Sequence, residues 1–363
     1  MGDFSVKKSI QRERPNELTK MLNSASSDFL TEKVIFEDNE SADVSSISLM
    51  NCQPNAGTEF LFTLPWGVVF LNKDYQEQHR LKFDENRFST IKPFNMGGSR
   101  SCMFIAYKLF EGVYLYDSEG KETWRITREN GHKAAIEGVQ YGDVDGDNNP
   151  EFTISHSYGE GIHLVDENGK LLWRYPVHAL GHLEMADIHG DGKAEIIFSN
   201  SNNANGITEF MILDAIGQVA HQLKIPTTSY EFSIIGWPIK ESKPNLLLTE
   251  ENKIIIVDLK GETVSQLNAP GCRDFGKVEA IAVKLKKDES NYLAVKKSLH
   301  PDLSVLYIYD SNGKLVYQKT DVIMGVLAPT LTAGPMNEIG VERLIVGAKK
   351  DYWTRVLEYS LSR

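Results

Sequence analysis

The chain has 363 residues, 41% of them hydrophobic and 25% charged, which is an ordinary globular composition with length enough for a buried core. A net charge of −11 argues against a nucleic-acid backbone or an anionic membrane surface as the main partner. There is no apolar run of about 18 residues, so membrane insertion is not expected.

Residues 1–14 are charged and carry no apolar core, so no secretory leader is expected. That reading places the protein in the cytoplasm, or requires export by a signal-peptide-independent route. Residues 1–32 as a whole are rich in Ser, Asn, Lys and Glu and read as a polar arm, ordered in part. Three cysteines, Cys52, Cys102 and Cys272, lie far apart. Their odd count and wide spacing predict free buried thiols and no disulfide framework.

From residue 33 to 363 the texture changes to short alternating apolar runs between turn residues. No sustained helical period appears, which predicts an all-β domain. Residues 33–38 form a lone strand-like run. A weak turn signal follows at Asn72-Lys73-Asp74-Tyr75. It then sharpens to Asp-x-x-Gly at Asp117 and Gly120, and recurs at Asp166, Asp214, Asp258 and Asp310. Each Asp is expected to cap N–H groups two and three residues on. Each Gly takes the left-handed conformation that closes a hairpin.

Successive turn aspartates are 49, 48, 44 and 52 positions apart. With the weak copy at 72 and a half-copy at 356–360, the chain holds seven units of about 48 residues, the size of a four-stranded propeller blade. The last unit stops where its hairpin turn would begin, so it lacks an outer strand. Residues 33–38 are expected to supply that strand by pairing beside 355–359, which hides two edges. The predicted fold is an all-β, seven-bladed β-propeller of four-stranded antiparallel blades, its ring closed by an N-terminal strand. Trp124 and Trp173 recur at one phase of the repeat, which favours packing between blades over a sugar-stacking platform.

One unit carries Asp143-Val144-Asp145-Gly146-Asp147-Asn148-Asn149-Pro150-Glu151, with carboxylates at positions 1, 3, 5 and 9. A hard cation such as calcium takes six to eight oxygens, and a curled loop of alternating carboxylates supplies them. An EF-hand needs Glu at position 12, where this loop has Ile154, so that reading fails. Four crowded carboxylates repel one another in the absence of a cation, and a plain solvated turn has no need of them. The next unit repeats the pattern at Asp187, His189, Asp191, Lys193 and Glu195, where His189 replaces an oxygen ligand. In the first loop, Asp143, Asp145, Asp147 and Glu151 are expected to give carboxylate oxygens and Asn149 its backbone carbonyl.

The stretch 143–151 resembles the calcium loop of the FG-GAP/VCBS repeats, the family that includes the integrin alpha-subunit propeller. The downstream turn around Asp166 and Trp173 is similar to PQQ-type propeller repeats. The resemblance implies that the loop joins an inner strand at 136–141 to a second at 151–155, with 161–165 third and 170–175 outermost. The other units depart from it: 237–241 and 284–288 stand at the loop position without the acidic pattern, and those loops are not expected to bind calcium.

No catalytic residue is assigned. The chain has no nucleophile elbow, zinc-protease helix, redox Cys pair, P-loop or complete dinucleotide fingerprint. Candidate ligand-face residues are His156, His163, His178 and His182, which the blade map puts on the face opposite the calcium loops. Imidazole suits a metal site or a proton shuttle there. Tyr230, Phe232 and Arg273, from loops of the same face, are added for ligand binding. The expected function is a non-catalytic, calcium-stabilised module that binds a protein or glycan on that face. The alternative is a carbohydrate-active enzyme, a polysaccharide lyase or hydrolase, because similar calcium-bearing propellers occur among polysaccharide lyases.

Overall fold

A computed structural model describes residues 29–38, 44–52, 59–83, 87–95, 102–127, 134–201, 204–237, 244–273, 276–287, 291–300, 303–322, 331–335, 340–350 and 353–362. The first strand is β1 (Leu30–Asp38). Blade I holds β2 (Ser46–Met50), β3 (Glu59–Leu64), β4 (Gly67–Leu71) and β5 (Glu77–Lys82). Blade II holds β6 (Thr90–Asn95), β7 (Cys102–Lys108), β8 (Gly112–Tyr116) and β9 (Glu122–Thr127). Blade III holds β10 (Ile136–Gly142), β11 (Glu151–His156), β12 (Gly161–Val165) and β13 (Leu171–Tyr175). Blade IV holds β14 (Leu180–Ala186), β15 (Glu195–Asn200), β16 (Thr208–Leu213) and β17 (Val219–Ile225). Blade V holds β18 (Phe232–Ile235), β19 (Asn245–Glu250), β20 (Lys253–Val257) and β21 (Thr263–Asn268). Blade VI holds β22 (Val278–Val283), β23 (Tyr292–His300), β24 (Leu303–Tyr309) and β25 (Leu315–Val322). Blade VII holds β26 (Leu331–Pro335), β27 (Glu342–Lys350) and β28 (Trp353–Leu361), and takes β1 as its fourth strand.

The fold is therefore the seven-bladed propeller expected from the repeat, and the ring closes as expected. Lys33 pairs with Glu358 and Glu37 with Arg355 across β1 and β28. An Arg355 Nη2 to Glu37 Oε1 contact of 2.6 Å and a Tyr359 hydroxyl donating to Glu32 Oε2 at 2.8 Å fasten the seam. The strand starts at Leu30, inside the stretch 1–32 read as an arm, and residues 1–28 lie outside the described residues.

Burial explains the sequence texture. The second and third strands of a blade are covered on both faces by the blades beside them, so β3, β4 and β8 are buried at every position. Such strands read as continuous apolar runs. The outer strands, such as β9, alternate between half-buried and exposed. Among the described residues the core is accordingly divided into seven apolar clusters, one at each junction between neighbouring blades. The outer-strand tryptophans belong to this packing. Trp124 Nε1 donates to Glu167 O and Trp173 Nε1 to Ala215 O, both at 2.8 Å and both onto the hairpin turn of the next blade. A Cβ on Gly217 would come within 2.8 Å of the Trp173 ring, so the turn glycine admits the indole as well as the positive φ.

Two sequence expectations need correction. The turn aspartates cap N–H groups two and four residues on, not two and three: Asp166 Oδ1 accepts from Asn168 N at 3.0 Å and from Lys170 N at 2.8 Å. The fourth-residue N–H is the one that re-enters the hairpin, so the cap ties the turn to its outgoing strand. Cys52 and Cys102 are not free thiols but form a disulfide, with Cα atoms 4.8 Å apart and a sequence separation of 50. Cys52 follows the inner strand of blade I and Cys102 opens the second strand of blade II, so setting the two blades side by side makes them neighbours in space. Only Cys272 is a free thiol among the described residues, and it is buried.

Candidate functional site

Inner strands run from one face of the ring to the other, so the connections sort by face. The acidic loops and the Asp-x-x-Gly turns leave the ends of inner and third strands and share a turn face. The blade-to-blade crossings and the second-to-third-strand turns share the opposite, crossing face.

On the turn face, the 143–151 loop is curled by its own carboxylates. Asp143 Oδ1 accepts from Gly146 N at 2.6 Å and its Oδ2 from Asn148 N at 2.8 Å. Glu151, buried at the start of β11, accepts from Val144 N at 2.9 Å. Ligand oxygens of Asp143, Asp145 and Glu151 converge within 4.8 Å of one another. Asp147 turns instead to Asn149, accepting from its backbone N at 2.7 Å. Burial, and then the charges of Asp145, Asp147 and Asp143, push Glu151 up to about 7 against the pull of the Val144 N–H. A divalent cation would remove that repulsion. Three converging carboxylates fit a hard cation, and no other such group occurs among the described residues.

The 187–195 loop is wound by the same bonds. Asp187 accepts from Gly190 N at 2.6 Å and Gly192 N at 2.8 Å, and Glu195 accepts from Ile188 N at 3.0 Å. The N–H of Gly192, with those of Gly190, Asp191 and His189, holds the Asp187 carboxyl below its ordinary value. The difference lies at the third position, where His189 Nδ1 sits 2.9 Å from Glu195 Oε1 and occupies that carboxylate. Lys193 leaves its own loop and donates to Asp145 O at 2.7 Å.

The crossing face holds a cavity of about 320 Å³ on the ring axis. Residues at or near the start of the inner strands of blades I to VI line it. They include Glu137, Glu184, Glu231 and Glu279, with Lys92 and Lys277. His182, at the start of β14, lies between two of the carboxylates: Nε2 lies 3.3 Å from Glu184 Oε1 and Nδ1 lies 3.3 Å from Glu231 Oε2. Glu184 Oε2 also accepts from Ile234 N at 3.1 Å, which ties blade IV to blade V. Lys92 donates to Gln140 Oε1 at 2.6 Å. Burial, and then Lys277, push Lys92 down to about 8, while Glu184 and Glu279 oppose. Burial pushes Glu279 up to about 8 in spite of Lys296 and Lys92. This glutamate ring was missed in the sequence. Its members sit on, or immediately before, inner strands of different blades, at no motif spacing, and only the blade phase of Glu137 and Glu279, each the second residue of its strand, could have flagged them.

The four candidate histidines do not form one site. His156 and His163 are adjacent across β11 and β12, with ring centroids 4.2 Å apart, and they line a cleft between blades II and III beside Glu160 and Arg174. Burial first, then His156 and Arg174, hold His163 down at about 4. His178 is exposed and rests against Gly159 of the turn between those strands. His182 belongs to the axial cavity. Phe232 is a correction: it is fully buried, packed on Phe210 at 5.6 Å, because the first residue of β18 points between blades IV and V. Its side chain is therefore out of a ligand's reach. Tyr230 is half-buried against Gly181, and Arg273 is exposed.

No protein-family model matches the chain, and no curated protein matches it. Solved structures do match in fold. BBS1N, in its complex with ARL6DN, superposes with a TM-score of 0.60 at 10% identity, covering 91% of this chain and 97% of that one. Streptogramin B lyase gives 0.57 at 10% identity, covering 92% and 98%. The Neurospora crassa Pan2 WD40 domain gives 0.56 at 12% identity, covering 92% and 96%. At such identities the likeness concerns architecture alone: this chain has the seven-bladed propeller fold.

Proposed function

We propose that the protein is a non-catalytic binding module that engages a protein or glycan through its crossing face, with calcium bound in the 143–151 loop of the turn face to stabilise blade III. The observation that carries this reading is the axial cavity with its glutamate ring, which lies on the crossing face. Exposed apolar side chains on the same face support it: Leu109 and Phe110 in the β7–β8 turn, Tyr158 in the β11–β12 turn and Ile207 before β16. Tyr158 is 81% exposed and holds a φ of 55°, a conformation disfavoured for a bulky side chain. Exposed aromatic residues on turns of a rigid ring suit partner contact. Calcium is supported by the three converging carboxylates and by the spacing of the loop.

The test is a protein and glycan binding screen with wild type, with Phe110→Ser plus Tyr158→Ser on the crossing face, and with Ile216→Ser on the turn face, each in calcium and in chelator. The crossing-face variant should lose the partner at least tenfold with its melting temperature unchanged. Equal binding by both variants would overturn the assignment.

A second reading keeps one observation of its own. His182 between two carboxylates is an arrangement able to move a proton, as a polysaccharide lyase or hydrolase requires. Turnover of any polysaccharide, abolished in His182→Gln, would favour it.

A further inference from the structure

We infer that the axial cavity takes a cationic nitrogen, an ammonium or guanidinium group, with Glu279 and Glu231 as its acceptors. This rests on the reading of the crossing face as the binding face and specifies its chemistry.

The charge balance comes first. Four glutamates and two lysines line the cavity, with His182 among them. Once Glu279 ionises, the four carboxylates outnumber the lysines facing them among the described residues, and that state disfavours an anion. Next comes the state of the acceptors. Glu279 Oε2 and Glu231 Oε2 are both buried, and neither has a hydrogen-bond partner among the described residues. Glu231 has a residue exposure of 9%. Lys92 donates to Gln140 Oε1 and Lys296 to the carbonyl of Gly347. His182 Nδ1 approaches Glu231 Oε2 at 3.3 Å without completing a hydrogen bond.

A buried carboxylate oxygen without a donor is costly, and almost all buried polar atoms have a partner. An ammonium brings three N–H donors and a guanidinium five, together with the charge that lets a buried carboxyl ionise. Glu279, held up by burial, would give up its proton on binding, so occupancy should rise as pH increases through neutrality. The groups facing it are Lys92, Lys296 and Glu184, with Glu137, Lys277, His182 and Glu231 around the same cavity. A volume of about 320 Å³ is at the lower end for small-molecule sites, which suits a side-chain tip or a small amine.

The group has two sources, a free amine or a Lys or Arg side chain of a partner protein. Calorimetry on the full chain separates them. The probes are spermidine, blocked lysine amide, blocked arginine amide, and nonapeptides with a central Lys or Arg. Blocked norleucine amide is the neutral control and inorganic phosphate the anionic one. At least one cationic probe should bind one-to-one. Binding should weaken at least tenfold in Glu279→Gln and in Glu231→Gln, both isosteric, and stay unchanged in Ile216→Ser on the turn face. Tighter binding of a nonapeptide than of its blocked amino acid assigns a protein source, and the reverse order a free amine.

The inference falls if no cationic probe binds, if both glutamine variants bind as wild type, or if phosphate binds in preference. Loss of partner in the Phe110 and Tyr158 variant, with all cationic probes silent, would sink the cation site and leave the binding face standing. Cationic probes bound as expected, with partner capture intact in that variant, would keep the cation site and refute the apolar turns as the docking surface.

Discussion

The ammonium of Lys193 lies 2.7 Å from the carbonyl oxygen of Asp145, so the second acidic loop reaches into the rim of the first. The backbone makes the same link, Ala194 N donating to Asp143 O at 2.6 Å. Lys193 therefore places a positive charge beside the carboxylates that would hold a cation. Removing that charge should tighten the site, because like charges within a few ångströms repel. Lys193→Met should raise calcium affinity several-fold in calorimetry of chelator-stripped protein. Unchanged affinity would place the ammonium too far from the ion to matter.

Chelation should lower the melting temperature and leave the fold formed, because five blades carry no acidic loop. Binding to the native state alone adds about 2.7 kcal/mol at a hundredfold excess of ligand over Kd. Asp145→Ala should erase most of that shift. Asp191→Ala should do less, since His189 already occupies Glu195 in the second loop. No heat on adding millimolar calcium, and no change in melting temperature, would rule the ion out.

The sequence made the fold legible through residues that every blade must reuse. Asp117, Asp166, Asp214, Asp258 and Asp310 each cap a hairpin, and a cap needs a fixed side chain at a fixed spacing. Even the weak copy follows the rule: Asn72 caps Asp74 N at 2.9 Å and Gln76 N at 3.0 Å, and Tyr75 holds the glycine position at a φ of 63°. The acidic loop was legible for the same reason, since its chemistry is contiguous. The axial cavity was not, because Glu137, Glu184, Glu231 and Glu279 meet only once the ring has closed. Phe232 was misread because an aromatic residue between polar neighbours looks like a loop contact until the strand phase is fixed. The Cys52–Cys102 pair was hidden by a separation that seems wide in sequence, and the two meet only because adjacent blades pack side by side.

That disulfide staples blade I to blade II, and its removal should register as a loss of stability. Closing a loop of 50 residues restricts the unfolded chain by about 4 kcal/mol in the chain-entropy account. Cys52→Ser plus Cys102→Ser, or reduction of the wild type, should lower the urea midpoint without changing the far-ultraviolet spectrum. A wild-type midpoint insensitive to reductant would show that the bond does not contribute.

His163 should make stability depend on pH. In the folded protein burial, with His156 and Arg174 nearby, holds it at about 4. The unfolded chain regains the ordinary value near 6.5. Between those values the unfolded chain binds a proton that the folded protein refuses. The contribution is therefore complete above pH 6.5 and is lost as pH falls toward 4. His163→Gln should flatten the fall in urea midpoint between pH 6.5 and 5, a window above most carboxylate titrations. An identical slope in the variant would assign the dependence to other groups.

The strongest demand of the fold falls on β1. Leu30 and Phe36 are buried at 5% and 9% exposure, each packed into a cluster shared with blade VI, blade VII or blade I. Burying two such side chains stabilises by about 3 to 6 kcal/mol in total. That is a large part of the 5 to 15 kcal/mol typical of a folded domain. Without β1, the edge of β28 loses its hydrogen-bonded partner along its whole length, and an unpaired edge invites association. Deleting residues 1–40 should therefore give insoluble protein, or a soluble form without a cooperative melt. Adding a peptide of residues 29–40 in trans should restore the cooperative transition in proportion to its concentration. A truncated chain that stays soluble and melts cooperatively with no peptide present would show that three strands suffice to close the ring.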